Sequence, residues 1–210
     1  MRYTAGMNKR QAQQAATRER MEATVLALFE GEEAPERLSV AAICRRAGVA
    51  KGTFYLHFRG KEDLYLLPLK RWLLDPLLTY AGSDAFTAGP PQTAIERFLG
   101  RLTRDVLARE PQWRRVLTAA GEVNGLELIR RDRAELQAPL RERLAALISA
   151  HAQSVFRPVL PGEADRMARW LVAINQDNLL TFFQDWDSRR FTDETRRLGR
   201  FFADLAARRR

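Results

Sequence analysis

Between Leu38 and Lys61 the chain reads LSVAAICRRAGVAKGTFYLHFRGK, with five basic residues and no acidic one. Its second half concentrates groups that suit a polyanion. Lys51 can donate to guanine edges or phosphates, and Gly52 lets the backbone approach closely. Thr53 offers a hydroxyl for phosphate and a methyl for thymine. Tyr55 and His57 can donate to phosphate oxygens, and Lys61 adds a mobile charge. A helix starting at Ser39 presents free N–H groups that can bind a phosphate or be left to water. Double-stranded DNA is the polyanion whose major groove admits a helix. Ser39, Lys51, Gly52, Thr53, Tyr55, His57 and Lys61 are therefore the candidate DNA-facing residues.

Two short helices joined by a turn must hold these groups. Ser39 suits an N-cap, and Val40, Ile43 and Ala47 share the side to be buried. Gly48 can take the left-handed conformation of a sharp turn, and Val49 plugs the angle between the helices. In the second helix Phe54 and Phe58, one turn apart, can anchor one side, leaving Lys51, Gly52 and Tyr55 on an adjoining arc. A support helix precedes them, with Met21, Val25, Leu28 and Phe29 forming an amphipathic stripe that Gly31 and Pro35 end. Residues 1–16 are polar without an apolar period, so a mobile arm is expected there. The DNA-binding domain is expected over residues 17–63.

Residues 64–210 read as a longer helical body. Leu64, Leu66, Leu67, Leu69, Trp72, Leu73 and Leu74 make a strongly apolar helix, interrupted by Pro68, which deletes a backbone hydrogen bond. Residues 81–92 (AGSDAFTAGPPQ) are the strongest loop signal. Helical stretches follow around Pro111, then from Leu126 to about Val155 with Pro139 inside, then from Glu163 to Trp186. The last helix carries Leu198, Phe201, Phe202 and Leu205 as a stripe ready for a partner. Packing the two C-terminal helices four-helix fashion across a two-fold axis would bury both, making a homodimer. No alternating strand pattern occurs, so the fold class is all-α.

Composition agrees, through where the charge lies. The formal net charge is +9, and from Arg37 to Lys61 six positive charges meet no negative one, whereas Arg18-Glu19-Arg20 and similar runs mix both signs. The lone Cys44 reads as a small buried residue of a reducing compartment. No apolar run is long enough to span a bilayer and no signal-peptide core opens the chain, so a cytoplasmic protein without membrane attachment is expected. His57 and His151 with one cysteine supply neither a triad nor a zinc cluster, and no Gly-rich phosphate loop is present. Neither catalysis, a cofactor nor a metal is expected.

The run Ala47-Gly48-Val49-Ala50-Lys51-Gly52-Thr53-Phe54-Tyr55-x-His57-Phe58-x-x-Lys61-Glu62-x-Leu64 resembles the signature of the tetracycline-repressor (TetR) family of bacterial transcriptional regulators. The resemblance covers roughly residues 17–65. It implies an N-terminal three-helix DNA-binding domain with the helix-turn-helix, followed by a helical ligand-binding and dimerisation domain. It also implies a homodimeric repressor on a palindromic operator, released by a small-molecule effector. The same candidate residues would face DNA. Ala50 stands where a Ser is common, which removes a cap, and the loop before Ser39 is about one residue longer than usual. A DNA-binding architectural or division-linked protein without a sensor is the alternative.

For an effector the body offers Trp113, His151, Trp170, Asn175 and Asn178. The tryptophans could line an apolar pocket, with core or dimer contacts as the competing use. The polar three fall among apolar positions, where a buried polar group must find a hydrogen bond, and for Asn178 a bond across the dimer is the competing use.

Overall fold

Alanine, glutamine, lysine and arginine dominate residues 9–20, and they suffice to start a helix. The computed structural model describes residues 9–31, 39–87, 91–121, 138–142, 144–146 and 163–207. Its first helix, α1, runs Lys9–Glu30, so residues 9–16 are helical where an arm was expected. The physical reason is propensity. These side chains lose little freedom in a helix, and no apolar stripe is needed to form one. Residues 1–8, the remainder of the expected arm, lie outside the described residues.

The chain divides into two compact units, Met1–Pro68 with Arg115–Leu128 and Leu69–Arg114 with Ile129–Arg210. In the first, α1 packs on α2 (Val40–Ala47) and α4 (Glu62–Pro68), and α2 packs on α3 (Lys51–Tyr55). Met21, Val25, Phe29, Ile43, Phe54 and Leu64 are fully enclosed, as the helical stripes require, whereas Leu28 stays half-buried. Cys44 is buried and free. The unit also takes in the C-terminal part of α8 (Glu110–Ala120), which a contiguous domain over 17–63 does not include. Arg115 Nη1 donates to the carbonyl oxygens of Phe29 at 3.0 Å and Glu30 at 3.4 Å. Those carbonyls lie at the C-terminal end of α1, where a cation suits the negative end of the helix. On the same face of α8, the Ala119 carbonyl accepts from Tyr65 Oη at 2.8 Å.

After Pro68 the helix widens rather than stopping. Residues Leu69–Leu74 form a π-helix, which continues as α5 (Asp75–Ala81). Pro68 has no N–H to donate, and a π turn absorbs such a break without ending the helix. Leu69, Trp72, Leu73 and Leu74 are all buried there. The expected loop over 81–92 contains a helical turn, α6 (Asp84–Thr87), because Phe86 is fully buried against Tyr80 and Phe98.

In the second unit α7 (Pro91–Leu107) and the last helix, α10 (Ser188–Ala207), make the most extensive helix pairing. This alters the expected use of the final stripe. Leu198 and Phe202 are buried within the chain itself, leaving Phe201 exposed, while the Leu205 side chain is outside the described set. The helix before it, α9 (Glu163–Asp185), packs on α10. It ends one residue before Trp186, which takes a left-handed φ of 57°. Trp186 is held there by ring contacts with Phe182 and Phe183, with the Arg114 guanidinium 4.2 Å from its ring centre. Of the helix expected over 126–155, residues 138–142 and 144–146 are helical, Pro139 among them, and the rest lies outside the described residues.

Arg115→Ala is expected to lower stability by about 1–2 kcal/mol, since it strips charged donors from the end of α1. Denaturant unfolding measured on wild type and variant checks this. An unchanged midpoint would mean that the α1 carbonyls need no partner.

Candidate nucleic-acid interface

The candidate surface is built by enclosing one side of a very short helix. Helix α3 has five residues, too few to persist without tertiary support. Phe54 and Phe58 supply it, both buried and stacked with ring centres 5.1 Å apart. Their burial turns the adjoining arc outward. Tyr55 packs edge-on against Phe54, yet remains 55% exposed. Lys51 and Gly52 are exposed, and Thr53 and His57 are half-buried.

Backbone geometry sets the angle of this helix. Gly48 has φ 65° and ψ 39°, the left-handed turn expected of it. Its N–H and that of Val49 donate to Arg45 O and Cys44 O, closing α2. Ser39 caps the other end, its Oγ accepting from Ala42 N–H at 3.4 Å. Because that cap uses an oxygen lone pair, the Ser39 hydroxyl proton stays free for a phosphate. Ala50 gives α3 no side-chain cap, as its methyl group dictates. At Gly52 an added Cβ would meet nothing within 4 Å. The glycine is therefore not there to let protein helices pack; the space beside it is open.

A clasp from α1 completes the arrangement. Arg18 Nε lies 2.9 Å from Glu22 Oε1, and its Nη1 donates to the His57 carbonyl at 3.1 Å. Its guanidinium carbon is also 4.9 Å from the centre of the Phe58 ring. Arg18 was legible only as one charge in a mixed run, because its partner at His57 is thirty-nine positions away. Beyond α3, Asp63 accepts from the Arg59 N–H at 2.8 Å, ordering the turn that carries exposed Lys61.

Charge-based reading also passes over Leu56. It is 78% exposed, the most open of the large apolar residues beside Tyr55 on the outward arc. An apolar side chain there can contact thymine methyls but offers no charge to find it by. Arg45, Arg46 and Arg59 are exposed on the same unit, and the described part of the acid-free stretch runs from Ser39.

Residues 27–67 match the model of the bacterial regulatory proteins, tetR family. Over these residues, the helix-turn-helix segment, the chain is similar to that family. The match supports a DNA-binding transcriptional regulator, and the fold is all-α among the described residues. Among solved structures, a tetR-family transcriptional regulator from Streptomyces coelicolor matches with a TM-score of 0.55 and 22% identity, over 91% of this chain and 80% of that one. That likeness shows the fold. No curated protein matches the chain. Among the described residues, no helix is long and apolar enough to cross a membrane.

The residues expected to meet an effector are not brought together. Trp113 is buried between Trp72 and Phe183, each ring centre 5.5 Å away. Trp170 is exposed on α9 and Asn178 is half-buried. Asn175 lines an apolar cavity of the second unit, together with Gln176, which had not been singled out. His151 lies outside the described residues.

Gly52→Leu separates contact from folding in this domain. Because the position faces open space, thermal stability is expected to stay the same or rise slightly, given the poor helix propensity of glycine. DNA affinity is expected to fall at least tenfold in a mobility-shift titration. Unchanged affinity would place the DNA elsewhere.

Proposed function

We propose that the protein is a ligand-responsive repressor that binds a palindromic operator as a homodimer and is released by a small-molecule effector. The observation that carries the DNA part is the division of α3, with Phe54 and Phe58 enclosed and Lys51, Gly52 and Tyr55 presented to solvent. On this proposal Lys51, Gly52, Thr53 and Tyr55 enter the major groove. Ser39, His57 and Lys61 take phosphates on its rim, which fix orientation and carry little sequence information. The DNA-binding domain corresponds to residues 17–63, and residues 64–210 sense and dimerise.

Dimerisation is supported by Trp170 and Ile174, one turn apart on α9, and by Phe201 on α10, all large apolar side chains left exposed. A partner's matching helices would cover them and make a four-helix interface. Two recognition helices about 34–36 Å apart then fit successive major grooves on one face of DNA. The sensor part rests on the apolar cavity with polar groups in the second unit.

Replacing Tyr55 or Lys51 with Ala is expected to weaken operator binding while leaving helix content and dimerisation intact. Lys61→Ala is expected to weaken all DNA sequences alike and to lower the slope of log affinity against log salt by about one, one counterion per phosphate contact. Altered base discrimination would refute the phosphate role. Ile174→Asp is expected to shift the protein toward monomer in light scattering and to reduce operator affinity with it. A stable dimer in that variant would move the interface away from α9.

A further inference from the structure

We propose that the first turns of α1, carrying Lys9, Arg10 and Gln14, form a second DNA contact, an anchor on the phosphates that flank the half-site met by α3. The inference rests on the outward arc of α3 being the DNA-facing surface, as proposed above.

Two contacts fix the direction of α1. Near its C-terminal end the Phe29 and Glu30 carbonyls receive Arg115 of α8, whereas Arg18 donates to the His57 carbonyl just past α3. The helix therefore runs from α8 to the recognition helix, and it does not stop there. From Arg18 it extends back to Lys9, about 13 Å of further helix at about 1.5 Å per residue. Residues 9–20 contain no buried side chain, and the first enclosed one is Met21. Core packing thus asks nothing of this stretch.

Helix stability does not explain its charges either. No acidic residue precedes Glu19, although exposed faces of later helices pair Arg with Asp, as at Arg101 with Asp105 and Arg196 with Asp193. Lys9 and Arg10 stand in the first turn, where the helix dipole disfavours cations. An anion alongside removes that cost. Arg10 and Gln14 lie eight and four positions before Arg18, so they share the face from which Arg18 reaches His57. Lys9 stands at the tip, on a flexible stem that can swing to either side.

Two cations and an amide donor, with no carboxylate among them to repel an anion, suit a line of phosphates. Each DNA strand carries one phosphate per about 3.4 Å, so the overhang spans about four of them beyond the rim at His57. Contacts of this kind add affinity and fix orientation without encoding sequence.

The test replaces Lys9 and Arg10 together with Ala in the full chain and uses a duplex that the wild-type protein selects from a random library. Alanine is the strongest helix former and the positions are exposed, so helix content and thermal midpoint are expected to be unchanged. In hydroxyl-radical footprinting the double variant is expected to lose protection over about four outer nucleotides at each end and to keep the inner footprint. Affinity is expected to fall about tenfold, and the slope of log affinity against log salt by about two per subunit. Adding scrambled flanks to a duplex trimmed to the inner footprint is expected to tighten wild type about tenfold and to leave the variant unchanged. Identical footprints and affinities for the two proteins would overturn the proposal, leaving the overhang to water. A gain that depends on the A·T content of the flanks would also overturn it, because that is a minor-groove signal and phosphates carry none. Failure of the α3 reading looks different. Lys51→Ala would then leave affinity intact, whereas a misplaced anchor alone leaves Lys51→Ala weakened and the double variant unaffected.

Discussion

One guanidinium ties the recognition helix to the helix that supports it. Arg18 reaches from α1 to the His57 carbonyl just past the end of α3, while pairing with the nearly enclosed Glu22 and lying over Phe58. Each contact answers a separate physical demand. The terminal carbonyls of a helix want a cation, a buried carboxylate wants a counter-charge, and the face of an aromatic ring accepts one. Because Arg18 meets all of them at once, α3 cannot rotate without breaking several. Phe54 and Phe58 hold the same helix through their burial and their stacking on each other. The outward placement of Lys51, Gly52 and Tyr55 follows from these two restraints and not from any preference of their own.

Alternation of restraint and exposure also explains the composition of the unit. The groups facing outward are hydrated before they meet anything; a phosphate contact replaces the water it displaces, and counterion release favours the exchange. The groups that would be costly to bury without partners are paired: Glu22 with Arg18, the α1 carbonyls with Arg115, and the α8 carbonyl of Ala119 with Tyr65. Arg115 and Ala119 come from more than eighty and fifty positions away from their partners. A domain assigned by contiguous sequence therefore omits part of what holds it together.

Local chemistry was legible in the sequence, and long-range pairing was not. The turn at Gly48, the cap at Ser39 and the burial of Ile43, Phe54 and Phe58 follow from spacing and backbone preference. The start of α1 at Lys9 was also written there, in helix propensity, although an apolar period gives no sign of it. Pro68 announced an interruption, but whether a helix kinks, stops or widens depends on what surrounds it. Burial of Leu69, Trp72, Leu73 and Leu74 favours continuing as a π-helix. The final stripe was misassigned for a related reason. A stripe specifies that something covers it, and α7 of the same chain does so for Leu198 and Phe202. Arg18 and Leu56 escaped because a charge in a mixed run and an apolar residue in a basic stretch carry no local mark of their use.

A helix of five residues limits what one copy of this domain can read. From Lys51 to Tyr55 it offers few side chains long enough to reach base edges, one of them missing altogether at Gly52. Discrimination from each good base contact is about 1–3 kcal/mol, so a single copy gains most of its affinity from phosphates, which do not encode sequence. Close approach permitted by Gly52 partly offsets this by shortening the reach required of its neighbours. In the proposed homodimer the larger gain comes from pairing two copies, because base contacts at separate half-sites add while the spacing between them becomes a further criterion. Weak reading by each α3 is thus compatible with a specific regulator, provided the body fixes the distance between two of them.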